Sequence, residues 1–334
     1  MTDIAILGAG SWGTALAVHL VRTGHPVRLW SVEPDVVEAV RTRRSNAIYL
    51  PDISLPLGID ATLSLADAVG GAGVVVAAVP SHALRGVLAD ARPLLDSSAV
   101  VVSVVKGLET GTLLRMSQVV EQELPTGHPV VVLSGPSFAI EVARELPTAV
   151  SVASGDMQAA ELVQEEFRGK FFRLYTTPDV AGVEIGGALK NVIAIAAGVV
   201  DGLGLGHNAS AALMTRGLAE ITRLAIAEGG RRETLSGLSG LGDLVLTCMG
   251  SYSRNRHVGV ELAKRRPLVE ILAGMKMVAE GVKTTEAALA LGARRGVELP
   301  ITAQMAELLA GRTTPEHAVA GLMLRPQRIE VETG

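Results

Sequence analysis

A run of glycines and two lysines set near apolar segments are the parts of this chain best suited to chemistry. Gly8-Ala-Gly-Ser-Trp-Gly13 has the spacing Gly-x-Gly-x-x-Gly. In such a run Gly8 permits a tight turn and Gly10 lets a pyrophosphate approach the backbone. Gly13 lets a helix pack against a strand. Ser11 and Trp12 open that helix, whose free N–H groups meet phosphate charge. Glu33 stands twenty residues past Gly13, where a carboxylate would hold a ribose 2′-hydroxyl.

Lys190 lies mid-helix in Gly186-Gly-Ala-Leu-Lys-Asn-Val-Ile-Ala194, with little polar company. Desolvation lowers the pKa of a buried lysine and makes it a competent proton donor and acceptor near neutral pH. A lysine whose ammonium reaches the surface or pairs with a carboxylate fits the same pattern, and both readings stay open. Glu184, six residues earlier, does not share a regular helix face with Lys190. Lys106 directly follows a Val-rich run and reads as a site residue rather than a solvated loop lysine. Asp243 follows a glycine-rich stretch and reads as a site carboxylate or merely a helix cap. Ser253-Arg254-Asn255 has the charge and hydrogen-bonding groups to hold a phosphate, or else opens a solvated basic helix.

These residues need a scaffold. Apolar runs at Ile4–Leu7, Val27–Val32, Val74–Val79, Ala99–Val105, Val130–Ser134 and Ala149–Ala153 predict strands, with Phe171–Tyr175 as an edge strand. Helical patterns at Ser81–Leu95, Thr112–Glu123, Phe138–Glu145 and Asp156–Phe167 lie between them. Near-continuous Val runs mean strands buried on both faces, hence a mostly parallel, doubly wound α/β sheet of Rossmann type. Ligands of such sheets sit beyond the strands' carboxyl ends. The loops at Val79–His82, Lys106–Glu109 and Ser134–Ala139, with Gly135 and Ser137, therefore border the same crevice as Gly8–Gly13. After Pro178 helical patterns take over, beginning with Ala181–Val200 and Ala209–Glu228. A dinucleotide-binding domain over 1–185 and an all-helical substrate and catalytic domain over 186–334 are expected. The last six or so residues read as a loose tail.

The 334 residues suffice for two domains, and the net charge of −4 gives no reason to expect a nucleic-acid partner. Cys248 is the only cysteine, which excludes a disulfide within the chain and a cysteine-based metal site; a reducing cytoplasm fits. The first strand begins by Ile4, so no signal peptide and a cytoplasmic location are expected. The apolar stretch from Ile185 to Val200 is interrupted by Lys190 and Asn191 and reads as a buried helix rather than a membrane span.

Taken together, the motifs resemble those of the bacterial NAD(P)-dependent glycerol-3-phosphate dehydrogenases from Ile4 to about Leu324. They include Gly8–Gly13, Tyr49-Leu-Pro51, Ser134–Ala139, Lys190-Asn191, Asp201–Gly204, Thr215–Leu218, Gly240–Asp243, Thr247-Cys248, Ser253–Asn255 and Val278–Gly281. The resemblance implies reversible reduction of dihydroxyacetone phosphate to sn-glycerol 3-phosphate, the backbone of phospholipids, by NAD(P)H. It implies Lys190 as proton donor and acceptor. Lys106, Gly135, Ser137, Asp243, Ser253, Arg254 and Asn255 would contact substrate. Ser11, Trp12, Lys106, Ala139, Arg254, Val278 and Glu280 would contact the cofactor. No metal is needed, because the nicotinamide carries the hydride. The family is often dimeric, so a homodimer is an expectation of the resemblance alone.

One departure concerns the cofactor. Many bacterial members carry a basic residue just after the second strand, whereas this chain has Glu33. NADH is therefore expected to serve at least as well as NADPH, unless the basic run at Arg41, Arg43 and Arg44 reaches the same pocket. The rival readings are a 3-hydroxyacid or ketopantoate-type dehydrogenase and a non-catalytic NAD(H)-sensing protein.

Overall fold

The computed structural model describes residues 2–124, 127–327 and 329–330. Its strands are β1 (Ile4–Leu7), β2 (Val27–Trp30), β3 (Ser45–Asn46), β4 (Leu50–Ser54), β5 (Ile59–Thr62), β6 (Val74–Ala77), β7 (Val100–Ser103), β8 (Val130–Ser134), β9 (Thr148–Ala153) and β10 (Phe172–Thr177). Eight form one sheet in the order β10-β9-β8-β7-β6-β1-β2-β5. Neighbours run parallel except β8 and β9, where Leu133 faces Val152 in an antiparallel register. The short helix Ala139–Ala143 joins that pair. β1, β6 and β7 are buried at every position, so they read as unbroken apolar runs rather than alternating ones.

Strand order reverses direction between β1 and β6. There the Ala78 N–H donates to the Leu7 carbonyl at 2.8 Å, and the turns after both strands open on one crevice. Three strands escape the sequence reading. β5 has only four residues, and β3 and β4 form a small hairpin around Ala47–Tyr49. Several predicted strands also end early. Val32, expected in β2, is 72% exposed beyond its end, where the chain has already turned toward a helix.

The second half is helical among its described residues and is arranged around the helix Val180–Gly202, buried from Gly182 to Val200. This helix is long and apolar enough to cross a membrane, but its apolar stretch is buried inside the fold. Its Gly198 and Gly259 of the helix Arg254–Ala263 meet backbone to backbone, so a Cβ on either would overlap the other helix. Residue 185 falls inside the central helix. Val183 packs with Val132 and Ala153 of the sheet, whereas Ile185 already belongs to the helical core. One rigid rod therefore carries Lys190 at a fixed height above the sheet. Residues 331–334 of the expected tail lie outside the described residues.

Candidate active site

The glycine turn has the shape that its spacing predicts. Gly8 has φ +117°, and a Cβ there would lie 2.7 Å from the Ala78 carbonyl oxygen. A Cβ on Gly13 would overlap the Gly8 carbonyl, so the helix start sits directly on the strand end. Around Gly10 nothing lies within 4 Å of a Cβ position, which leaves the backbone open to a ligand. The helix Ser11–Arg22 has no side-chain cap. The buried Trp12 Nε1–H has no partner among the described residues. An uncapped helix start beside open backbone and an unspent donor fits a bound pyrophosphate.

Glu33 stands at the same crevice, just past β2. It precedes the helix Pro34–Glu38 without spending its carboxylate on a cap, and the Tyr49 hydroxyl donates to its Oε1 at 2.8 Å. Two of the three neighbouring arginines are engaged elsewhere, and Arg43 is exposed. Arg41 Nε donates to the Ala61 carbonyl at 2.6 Å and Arg44 Nη1 to Ile59 at 3.1 Å, fastening the edge strand β5.

Across the crevice, Asp243 is 1% exposed and holds two lysines. Lys190 Nζ lies 2.6 Å from its Oδ1, and Lys106 Nζ lies 2.6 Å from its Oδ2. Lys106 also donates to the Gly135 carbonyl at 3.1 Å. Asp243 is not the helix cap that its glycine-rich context allows. Gly242 precedes the helix Asp243–Met249, and Asp243 is its first residue, with the carboxylate turned to the lysines. Two ammonium groups against one carboxylate leave the cluster with a net charge of +1 while both lysines are protonated. Burial, opposed by Asp243 and aided by Lys106, lowers the Lys190 pKa to about 8. Of the two readings open for Lys190, the ion-paired one describes its geometry, and the pKa keeps the proton-transfer one alive.

The loop after β8 closes one side. Gly135 has φ +147° and presses on Val150, while Ser137 Oγ donates to the Gly135 carbonyl at 3.0 Å. Ala139 begins the next helix. Ser253 caps the helix Arg254–Ala263 by accepting from Arg256 N, and it exchanges a 3.1 Å hydrogen bond with Thr247 Oγ1. Asn255 donates to Asn191 Oδ1 and accepts from Gly281 N, both at 3.0 Å. Arg254 is the cation of this trio and has no hydrogen bond or ion pair among the described residues; Glu280 is the anion acting on it.

The two halves also meet through groups that the sequence does not pair. Glu280 accepts from Ser81 N at 3.1 Å and from Ser81 Oγ at 2.6 Å, directly against Gly107 of the Lys106 loop, where a Cβ would lie 2.9 Å from Ser81 Cβ. Ser11 Oγ donates to Met277 Sδ at 2.9 Å, and Val278 next to it is partly exposed. Sequence reasoning named Ser81, Tyr49, Thr247 and Asn191 only as members of motifs. Their partners lie six to 199 positions away, which spacing alone does not reveal. Glu184 is explained separately, since it binds Arg115 at 2.6 Å and Ser117 and anchors the loop after Lys106. Among the described residues no group of three or more His, Cys, Asp or Glu is placed to hold a metal ion.

Family models for the NAD-dependent glycerol-3-phosphate dehydrogenase N-terminus and C-terminus match residues 3–160 and 179–320. The chain belongs to this family. It is 54% identical over 335 aligned residues to a glycerol-3-phosphate dehydrogenase (NAD(P)+) of Koribacter versatilis, covering 99% of each chain. A relative of the same name in Syntrophotalea carbinolica is 50% identical, covering 99% of this chain and 100% of the relative. The crystal structure of glycerol-3-phosphate dehydrogenase from Coxiella burnetii superposes with a TM-score of 0.93 at 43% identity, covering 97% of this chain and 99% of that one. A ketopantoate reductase from Ralstonia eutropha covers 95% of this chain and 99% of its own, with a TM-score of 0.61 at 16% identity, and shares the fold alone. The chain is thus an NAD(P)-dependent oxidoreductase with a Rossmann-type first half and a helical second half.

Proposed function

We propose that this enzyme reduces dihydroxyacetone phosphate reversibly to sn-glycerol 3-phosphate, a precursor of phospholipids, with Lys190 as the proton donor and acceptor. The observation that carries the reading is the buried Lys106–Asp243–Lys190 cluster beside the unpaired Arg254. When bound, the nicotinamide supplies the hydride to the substrate's carbonyl carbon. Negative charge then builds on the carbonyl oxygen, and Lys190 Nζ stabilises it and gives up a proton. Asp243 Oδ1 fixes the direction of Nζ, and Lys106 offsets the second carboxylate oxygen. Substrate phosphate pairs with Arg254 at the start of its helix, a remote anchor that orients the ketone. Gly135, Ser137, Ser253 and Asn255 are assigned to the substrate wall. Ser11, Trp12, Gly8, Gly10, Gly13, Ala139, Val278 and Glu280 are assigned to the dinucleotide. The units 1–185 and 186–334 are assigned to dinucleotide and substrate chemistry respectively. A cytoplasmic location belongs to the same reading.

NADH is proposed to serve at least as well as NADPH. A carboxylate at Glu33 accepts from ribose hydroxyls and repels a 2′-phosphate, and like charges ~4 Å apart cost up to about 4 kcal/mol near a surface. The tethering of Arg41 and Arg44 to β5 supports this choice, and leaves Arg43 as the one member of the basic run whose side chain has no hydrogen bond or ion pair among the described residues. Steady-state rates with each dinucleotide test the whole reading. Dihydroxyacetone phosphate should turn over readily. A higher rate with ketopantoate or a 3-keto acid would overturn the substrate assignment, and no turnover of any of them would favour a sensing role.

A further inference from the structure

We propose that Tyr49 is a positioning residue for dinucleotide choice, holding Glu33 where its free oxygen reads the ribose 2′-hydroxyl. This rests on the assignment of Glu33 to the ribose. The turn Asn46–Tyr49 closes with the Tyr49 N–H donating to the Asn46 carbonyl at 3.2 Å. At one end of that turn, Asn46 Nδ2 donates to the Ala9 carbonyl and to Thr14 Oγ1, both at 2.8 Å. Ala9 lies inside the glycine turn, so the hairpin is fastened to the place where a pyrophosphate would sit. At the other end, the Tyr49 ring packs on the sheet core and its hydroxyl meets Glu33 Oε1. One four-residue turn thus braces both the phosphate turn and the carboxylate. The Glu33 backbone is fixed, its N–H donating to Ser31 Oγ at 3.1 Å and its carbonyl accepting from Val36 and Val37 N–H at 3.2 Å, whereas Tyr49 is the one hydrogen-bond partner of its carboxylate among the described residues.

A glutamate on a free rotamer swings away from a bulky 2′-phosphate at little cost. A glutamate tied through Oε1 keeps its charge in place and leaves Oε2 as an acceptor for a ribose hydroxyl. The tie therefore favours NADH and penalises NADPH through the same geometry. Burial and the hydrogen bond to Glu33 push the Tyr49 phenol up to about 12, so Tyr49 stays a donor throughout the working pH range.

The test measures Kd for NADH and for NADPH by nucleotide fluorescence in the parent, Tyr49→Phe, Glu33→Ala and the double variant. Phenylalanine keeps the packing and removes only the hydroxyl. Tyr49→Phe should lower the NADPH-to-NADH Kd ratio by about two- to tenfold, the span of one hydrogen bond. Glu33→Ala should lower it further, and Tyr49→Phe should add nothing on that background. In the absence of nucleotide, Glu33→Ala should also bring one tyrosine's ionisation below about 12 in an ultraviolet titration. If Glu33→Ala shifts the ratio and Tyr49→Phe does not, the Tyr49 role is overturned while the Glu33 assignment stands. If Tyr49→Phe weakens both nucleotides equally, Tyr49 is merely structural. If Glu33→Ala leaves the ratio unchanged, the assignment beneath is overturned as well.

Discussion

The two walls of the crevice are built by different means. The wall assigned to the dinucleotide is mostly backbone, where Gly8, Gly10 and Gly13 supply shape and a helix start supplies N–H groups, with the Glu33 carboxylate at its far end. The wall assigned to the substrate is made of charged side chains gathered from distant places, with Lys106 and Lys190 each 2.6 Å from Asp243. A backbone site tolerates changes in side chains that point away from it and fails when a Cβ is added. A charged cluster fails when any one member is lost, because the others are left buried and unbalanced.

The largest effect expected from this contrast is at Asp243. Asp243→Ala leaves the buried Lys190 ammonium facing the partly buried Lys106, and breaking a buried pair costs up to about 3–5 kcal/mol of stability. Thermal unfolding should show that loss, and turnover should fall by ~10²–10⁴. A variant of normal stability and rate would mean that the cluster does not act as a unit. Next in size is Arg254→Ala, which should raise the KM for dihydroxyacetone phosphate by about ten- to hundredfold, the range for a charge-assisted hydrogen bond. Activity on unphosphorylated dihydroxyacetone should barely change. An equal loss on both substrates would move Arg254 to the dinucleotide side of the comparison.

This contrast also decides what was legible in the chain. A backbone site repeats a local spacing, so Gly8–Gly13 and its flanking strand and helix are readable within a few residues. The central strands follow from their Val runs because burial on both faces removes any polar alternation. β5 is short and carries Asp60 within its four residues, and β4 of the hairpin is mostly exposed, so neither sequence carries such a run. The side-chain wall is different. The residue types at Lys106, Lys190, Asp243 and Arg254 are visible, but 137 positions separate Lys106 from Asp243, and only folding reveals that they share an ion pair. Separation hides the Glu280–Ser81 contact too, at 199 positions, and even the Tyr49–Glu33 tie at 16 follows no helix or strand period.

A pH profile sharpens the account of the charged wall. Lys190 must be protonated to reduce a ketone and neutral to oxidise an alcohol. With its pKa lowered to about 8 by burial, kcat/KM for reduction should fall as pH rises through about 8, and kcat/KM for oxidation should rise through the same range. Limbs running in the same direction would indicate another proton carrier. The smallest effect expected is at the seam between the walls. Ser81→Ala removes one of two donors to Glu280 and should raise the dinucleotide Kd by about two- to fivefold, a fraction of one hydrogen bond. An effect on dihydroxyacetone phosphate alone would place the seam in the substrate wall.

The central claim is that Lys190 moves the proton while the opposite wall holds the dinucleotide. Lys190→Ala tests both parts in a single comparison of kcat with the Kd for NADH. The account predicts that kcat falls by ~10²–10⁴, the usual contribution of a general acid, while the Kd stays within about twofold. Turnover within about threefold of the parent, or a loss of rate fully explained by weaker NADH binding, would contradict it.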